Sequence, residues 1–183
     1  MSKKVLVPVA DGTEELEAIS IIDVLRRAGA EVTVASVGGL QITASRGTRI
    51  VADRLISDCL DEDWDLVALP GGMPGAEHLR DSGQLLRILK RQQAEDRYYG
   101  AICAAPAVVL QHHGLIGERR ATCHPAFMGQ LDPSRAVGET VVVDGPVATS
   151  RGAGTAVDFA LKLVELLYGP DRVAEVKAGM VLV

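Results

Sequence analysis

The sequence contains few cysteines, few aromatic residues and no long apolar run. Three cysteines among 183 residues are too few, and odd in number, for the disulfide framework that is typical of small secreted domains. The longest apolar runs, such as residues 104–110, are much shorter than the ~20 residues that cross a bilayer. The amino terminus also lacks the apolar segment of a signal peptide. We therefore expect a cytoplasmic protein that makes no membrane contact.

An excess of basic residues is missing as well, since 19 Lys and Arg stand against 24 Asp and Glu. No basic stripe is available to neutralise phosphates, so specific nucleic-acid binding is not expected. The hydrophobic fraction of 48% excludes a disordered chain. The length suits a single domain, residues 1–183, with a core that needs no disulfide or metal.

Phosphate-binding and metal-binding motifs are also absent. The turn after the first apolar run contains Asp11, Glu14 and Glu15 where a dinucleotide site requires Gly-x-Gly-x-x-Gly, and these carboxylates would repel a pyrophosphate. No Gly-x-x-x-x-Gly-Lys-Ser/Thr is present, and His78 has no cysteine or carboxylate at ligand spacing. We expect neither a cofactor nor a metal.

Near-continuous apolar strands alternate with amphipathic helical segments. This alternation predicts a doubly wound α/β sandwich, with a parallel sheet covered on both faces. The predicted strands are 4–10, 31–37, 65–69 and 98–102, an irregular strand or hairpin at 41–51, and a final hairpin of 137–143 with 146–149. The first predicted helix ends at about residue 28, with Gly29 as its C-cap. Further helices are predicted at 75–96, at 104–112 and from Thr155 onward, where Asp158 completes a capping box.

Cys103 lies between a predicted strand and a predicted helix, at the sheet edge where ligands bind in such folds. Small residues on both sides allow a sharp turn, as in a nucleophile elbow. The helix amino terminus should lower the thiol pKa from ~8.5, which predicts a reactive cysteine. The alternative is a buried cysteine that acts as a small hydrophobic residue. Cys123, one residue before His124, is a further thiol that could line the same pocket.

Glu17 falls on the apolar face of the first helix, among positions 18, 21, 22, 24, 25 and 28. Buried carboxylates without partners are rare, so Glu17 is predicted to be a functional acid whose pKa is raised by desolvation. A protonated Glu17 could donate a hydrogen bond to the thiolate. The opposite side of the helix carries Leu16, Ile19 and Asp23, which predicts a symmetric homodimer contact.

Two glycines, Gly71 and Gly72, end a buried strand after Pro70. Glycines there let backbone N–H groups face a cavity, as an oxyanion hole requires. The amides of Gly72 and Ala104 could then converge on one oxygen. His124 is the remaining histidine in a loop, and a lone loop histidine is more often solvated than catalytic.

Several segments, in order along the chain, resemble the ThiJ/PfpI superfamily, in particular the branch that contains the parkinsonism-associated deglycase and bacterial YajL. They are GTEELE (12–17), ASRG (44–47), LPGG (69–72), AICAAP (101–106), TCHP (122–125) and TSRGAGT (149–155). The resemblance covers almost the whole chain. It implies a flavodoxin-like three-layer α/β/α sandwich with a mostly parallel sheet, assembled as a homodimer.

The resemblance also implies roles for individual residues. Cys103 corresponds to an oxidation-prone nucleophile, Glu17 to its protonated partner and His124 to a nearby histidine. Asp23 corresponds to an aspartate that approaches this histidine across the dimer interface. The further candidates for the pocket are Glu14, Gly71, Cys123 and Arg151.

The implied function is a cysteine-dependent, cofactor-free glyoxalase or deglycase that acts on methylglyoxal, glyoxal and their early adducts. Its partners would be small reactive carbonyls or glycated groups. One alternative is a peroxide-sensing redox protein or chaperone with little catalysis. A second is an amidotransferase-type or isonitrile-hydrating hydrolase. The amidotransferase-type reading is disfavoured because Ala101 and Ala105 replace the flanking glycines and Ala126 replaces the glutamate after the histidine.

Overall fold

A seven-stranded sheet with helices on both faces forms the body of the protein, which is described here from a computed structural model covering residues 2–182. The strands are β1 (Lys4–Val9), β2 (Glu31–Ser36), β3 (Gln41–Thr43), β4 (Arg49–Val51), β5 (Arg54–Leu55), β6 (Leu66–Leu69), β7 (Tyr98–Ile102), β8 (Val141–Asp144) and β9 (Val147–Ser150). The helices are α1 (Glu15–Arg27), α2 (Gly75–Asp81), α3 (Gly83–Ala94), a π-helical segment (Pro106–Gln111), α4 (Ala156–Tyr168) and α5 (Pro170–Gly179), with short 3₁₀ turns between them.

The strand order is β5-β2-β1-β6-β7-β9-β8, and β3 pairs with β4 in a separate two-stranded hairpin. All neighbours in the large sheet are parallel except β8, which is antiparallel to β9. Every residue of β6 is buried, as is every residue of β1 and β2 after the first. The flavodoxin-like, mostly parallel sandwich predicted from the sequence is therefore confirmed.

The winding of the sheet reverses at β1, because β2 lies on one side of it and β6 on the other. In doubly wound sheets the crevice at such a switch point, at the carboxyl ends of the strands, is where ligands bind. Three segments meet at this edge: the start of α1 after β1, the glycine loop after β6, and the turn at Cys103 after β7.

Two apolar layers hold the sheet between its helices. On one face Ile21 and Leu25 of α1 pack with Phe159 of α4, and all three are fully buried. On the other face Leu85 of α3 packs against Tyr99 of β7. At roughly 1.5–3 kcal/mol for each fully buried large apolar side chain, these layers fix both α1 and the turn after β7.

The predicted helix 75–96 is wrong in one respect, since the structure divides it at Ser82 into α2 and α3. Ser82 has extended backbone (φ −77°, ψ 103°), and its side chain accepts a hydrogen bond from the Leu85 N–H at 3.2 Å. Serine is a strong N-cap because its hydroxyl satisfies a free N–H of the first turn. The serine therefore starts a new helix where the apolar pattern alone predicts continuity.

The predicted capping box of Thr155 and Asp158 is also wrong, because Thr155 makes no side-chain cap to α4. Its Oγ1 instead accepts from the Gly152 N–H (3.1 Å) and lies 2.7 Å from Ser150 Oγ. Thr155 thus closes the loop that follows β9. Within residues 2–182, no helix combines the length and apolarity needed to cross a membrane.

Candidate active site

Cys103 occupies a sharp turn directly after β7. Its φ of +65° is a conformation that few residues other than glycine adopt, and it persists only where the surroundings hold it. The Cys103 N–H donates to the carbonyl of Ser150 (3.1 Å), and its own carbonyl accepts from the N–H of His124 (2.8 Å). The structure therefore presents the thiol at an elbow. The helix that follows is a six-residue π-helical segment rather than the regular helix 104–112 expected from the sequence.

The Glu17 side chain is fully buried, with an exposed fraction of 0%. Its Oε2 accepts a hydrogen bond from the N–H of Gly71 at 2.7 Å. Its Oε1 is buried without a hydrogen-bond partner in the described part of the chain. The carboxyl group lies close to Cys103, since a Cβ built on Gly71 would lie 3.0 Å from Glu17 Oε2 and 2.6 Å from Cys103 Cβ.

Burial raises the pKa of Glu17 from 4.5 to about 7. The hydrogen bonds from Gly71 and Cys103 act to lower this pKa, and the charge of nearby Glu14 acts to raise it. This is the direction predicted from the sequence, and its cause is desolvation of the charged form. Near neutral pH the group is therefore able both to hold a proton and to release one.

The predicted lowering of the Cys103 pKa is wrong. Burial, the charge of Glu17 and the hydrogen bond with Glu17 raise the pKa of Cys103 to about 12, while the amides of Gly72 and Ala104 act to lower it. The thiol and the carboxyl group compete for one negative charge, so they titrate as a pair. The thiolate is favoured only when Glu17 keeps the proton, because the opposing charge is then absent.

Only glycine fits at the two positions after Pro70. A Cβ at Gly71 would lie 2.6 Å from the Cys103 Cβ and 3.0 Å from the Glu17 Oε2. Gly72 has a φ of +91°, and a Cβ there would lie 2.4 Å from the backbone nitrogen of Glu14. The close approach of this loop lets the Gly71 N–H donate to the acid at 2.7 Å and brings the Gly72 N–H near Cys103, whose pKa it acts to lower.

His124 and Asp23 do not join the thiol and the acid within one chain. The His124 Nδ1 accepts from the Ala126 N–H at 3.2 Å and so caps the 3₁₀ turn Pro125–Gln130. Only the backbone of His124 contacts Cys103 among the described hydrogen bonds. Asp23 lies on the exposed side of α1 and pairs with Arg27 at 2.6 Å. Its contact with His124 across a dimer interface stays a prediction.

Cys123 is fully buried, and its place in the pocket beside Cys103 stays a prediction. Its thiol donates to the carbonyl of His124 at 3.4 Å. Burial raises the pKa of Cys123 to about 11, and the charge of Arg151 acts to lower it. The Arg151 side chain donates to the carbonyl of Gly138 (3.4 Å), and its predicted place in the pocket of Cys103 stays a prediction.

Sequence reasoning missed the role of Glu15. Although burial acts to raise its pKa, hydrogen bonds from the Arg46 and Thr48 N–H groups and the Ser45 hydroxyl help to lower that pKa to about 2. Glu15 therefore binds the ASRG segment, which follows β3, to the start of α1. The sequence signal for Glu15 was its position in the first turn of a helix, close to Glu14 and Glu17.

The groups collected at the carboxyl edge are a thiol, a carboxyl group and several backbone amides. Together they can add a nucleophile to a carbonyl carbon, hold the resulting oxyanion and move a proton. Among residues 2–182, no group of three or more His, Cys, Asp or Glu side chains is arranged to hold a metal ion.

The chain is similar to known proteins over most of its length. Positions 3–166 match the DJ-1/PfpI family. Protein DJ-1 homolog B of Arabidopsis thaliana is 46% identical over 170 residues, which are 92% of this chain and 39% of that protein, so the chain spans less than half of that relative. DJR-1.2 of Caenorhabditis elegans, named a glutathione-independent glyoxalase, is 37% identical over 93% of this chain and 91% of its own length. The structure of oxidized DJ-1 of Toxoplasma gondii has a TM-score of 0.97 and 47% identity, with 99% of both chains covered.

Proposed function

The chain belongs to the DJ-1/PfpI family, and from that premise we propose that it is a cysteine-dependent glyoxalase and deglycase that uses no cofactor. Its substrates would be methylglyoxal, glyoxal and their early adducts. The observation that carries the proposal is the fully buried Glu17 carboxyl group beside Cys103, since a Cβ built on Gly71 would lie 3.0 Å from Glu17 Oε2 and 2.6 Å from Cys103 Cβ. The glyoxalase name of one relative supports it.

The first step is addition of sulfur to the aldehyde. With the proton on Glu17, the Cys103 thiolate attacks the aldehyde carbon of methylglyoxal, and a C–S bond forms as the carbonyl π electrons move to oxygen. The Gly72 and Ala104 amides would stabilise this oxyanion. Transfer of the Glu17 proton to the oxygen gives a hemithioacetal and leaves Glu17 ionised.

The second step moves a proton between two carbons. Ionised Glu17 removes the proton from the former aldehyde carbon, and the proton returns to the neighbouring carbon through an enediol. The aldehyde carbon is oxidised to a thioester while the ketone carbon is reduced to an alcohol, so no external oxidant is needed. Water then releases lactate and restores the thiol. Deglycation would begin with the same attack on an adduct.

The acid is suited to both steps because its pKa of about 7 lies close to neutral pH. A general acid–base group works best when its pKa is near the operating pH, since both protonation states are then accessible. An ordinary, exposed glutamate would be ionised before the reaction began. It would then raise the thiol pKa rather than protonate the oxyanion.

Lactate formation from methylglyoxal without glutathione tests the proposal. We expect Cys103→Ala to abolish turnover and Glu17→Gln to reduce it by about 10²-fold or more. Cys59→Ala is the matched control, because it removes a buried thiol outside the site and should retain turnover. In D₂O the lactate should carry deuterium on its alcohol carbon, since the proton passes through an exchangeable carboxyl. Full turnover in both site variants would contradict the mechanism.

A second candidate function, peroxide sensing, is favoured by one observation. Cys103 is the only one of the three cysteines that is not fully buried, since Cys59 and Cys123 have no exposed surface. A sulfinate at Cys103 would be stabilised by the Glu17 proton and the same amides. Uptake of two oxygens at Cys103 under mild peroxide, together with negligible lactate formation, would favour this function over catalysis.

The proposal includes a homodimer formed through α1. Leu16 and Ile19 are 55% and 47% exposed, and both lie on the side of α1 that faces away from the sheet. Such aliphatic side chains are typical of a surface that is buried on association. Sedimentation of wild type as a dimer and of Ile19→Lys as a monomer is the expected result, and a monomeric wild type would contradict it.

A further inference from the structure

Glu14 connects the acid to the loop that supplies the amide donors. It is the N-cap of α1, and its Oε2 accepts a hydrogen bond from the N–H of Glu17 at 2.8 Å. Its own N–H donates to the carbonyl of Gly71 at 2.9 Å. One residue therefore binds the backbone of the acid and also the loop whose N–H groups reach the acid and the sulfur.

The backbone contact orients the amide that faces the thiol. In a trans peptide the C=O and the following N–H point in opposite directions. Because the Glu14 N–H binds the Gly71 carbonyl on one side, the Gly72 N–H is directed to the other side, where it interacts with Cys103. The positive φ of Gly72 allows this arrangement without steric cost.

The side chain of Glu14 places a negative charge beside a buried acid. The titratable groups that act on Glu17 are Cys103, from the turn after β7, and Glu14, from the start of its own helix, while the Gly71 loop contributes a neutral amide. No lysine or arginine of residues 2–182 pairs with Glu17 or Glu14 within 4.0 Å. The negative charge of one carboxylate disfavours ionisation of a carboxyl group near it.

We propose that Glu14 is a positioning residue whose carboxylate adds to the effect of burial in keeping the proton on Glu17 and whose backbone aims the Gly72 amide at the sulfur. Glu14 carries the charge because it is partly exposed, whereas Glu17 is fully buried. The inference rests on the proposed function only in that Glu17 acts as the protonated partner of Cys103. It makes Glu14 a regulator of the thiolate without contact to the substrate.

The test is the pH dependence of Cys103 alkylation by iodoacetamide, with the site identified by peptide mass. Glu14→Gln retains an acceptor for the Glu17 N–H but removes the charge. We expect the rise in alkylation rate to move to lower pH, by on the order of one pH unit, because the pair then loses its first proton more readily. We also expect a plateau rate several-fold lower, since Glu17 then takes a larger share of the negative charge.

Glu31→Gln is the matched control, because it removes the same charge at the first residue of β2. This position lies at the opposite end of a six-residue strand, roughly 20 Å from the carboxyl edge. A Glu14→Gln profile that coincides with those of wild type and Glu31→Gln would overturn the proposal. So would a loss of reactivity in Glu14→Ala but not in Glu14→Gln, because capping alone would then explain it. Absence of lactate formation in wild type would refute the glyoxalase function and leave this readout intact.

Discussion

The stability of the fold should depend on pH through Glu17, and Glu17→Gln should remove that dependence. Because burial raises the pKa of Glu17 from 4.5 to about 7, the folded protein keeps a proton over a pH range in which the unfolded chain releases it. The unfolded state then binds fewer protons than the folded state, so the free energy of unfolding decreases as pH rises. This destabilisation is absent below pH 4.5, develops up to about pH 7 and is complete above it.

The magnitude follows from the same two values. A rise from 4.5 to about 7, at ~1.4 kcal/mol for each pH unit, corresponds to about 3 kcal/mol. Glutamine has nearly the same shape, keeps an oxygen for the Gly71 N–H and carries no charge to desolvate. We therefore expect Glu17→Gln to exceed wild type in stability by up to about 3 kcal/mol at pH 8. The two proteins should be nearly equal in stability at pH 4.

Urea unfolding at pH 4, 6 and 8 measures this difference, and thermal unfolding should show a gain in Tm of roughly 6–12 °C at pH 8. Repeating the comparison in a Cys103→Ala background removes the coupled thiol, and the pH-dependent gap should persist there. Glu31→Gln, at an exposed position, should show no such gap. A gap that did not change with pH, or a Glu17→Gln protein less stable than wild type at pH 8, would refute the reasoning.

Three further predictions concern the elements around the site. Gly71→Ala should lower stability by about 1–3 kcal/mol and slow Cys103 alkylation, because its methyl group would lie 2.6 Å from the Cys103 Cβ; Gly83→Ala, which meets no atom within 4 Å, should do neither. Cys123 should react with iodoacetamide at least about 100-fold more slowly than Cys103 in the folded protein, since it is fully buried and thiolate access controls the rate; equal rates by peptide mass would contradict its burial. Ser82→Ala should cost about 1 kcal/mol in urea unfolding through loss of the α3 cap, and an unchanged midpoint would show that the cap at Leu85 is dispensable.

The parallel sheet was predictable because its strands are apolar at nearly every position. Periodicity alone cannot report a break within an amphipathic stretch, and Ser82 provides one. The apolar residues of α2 and α3 continue the same pattern across it, so the division depends on a local hydrogen bond. The capping box predicted at Thr155 was wrong because its hydroxyl bonds to groups in the loop before it rather than to the helix after it.

In the candidate site, the positions of the functional residues were easier to predict than their pKa values. Cys103 follows a strand and Glu17 falls on a buried helix face, and both features are visible in one dimension. The pKa of Cys103 depends instead on how close Glu17 lies and on how much water the fold excludes, and those terms outweigh the two amides. The burial of Cys123 likewise depends on packing against residues distant in sequence, which no local pattern encodes.

The thiol pKa and the proposed chemistry are compatible only if the carboxyl group keeps the proton. With Glu17 ionised, Cys103 would remain a thiol at any physiological pH, since its pKa is about 12. The buried acid is therefore a cost to the fold, which glutamine would avoid, and a requirement for the proton transfers of the reaction, which glutamine cannot perform. Stability and turnover should move in opposite directions in Glu17→Gln. A purely structural carboxyl group would give no such opposition.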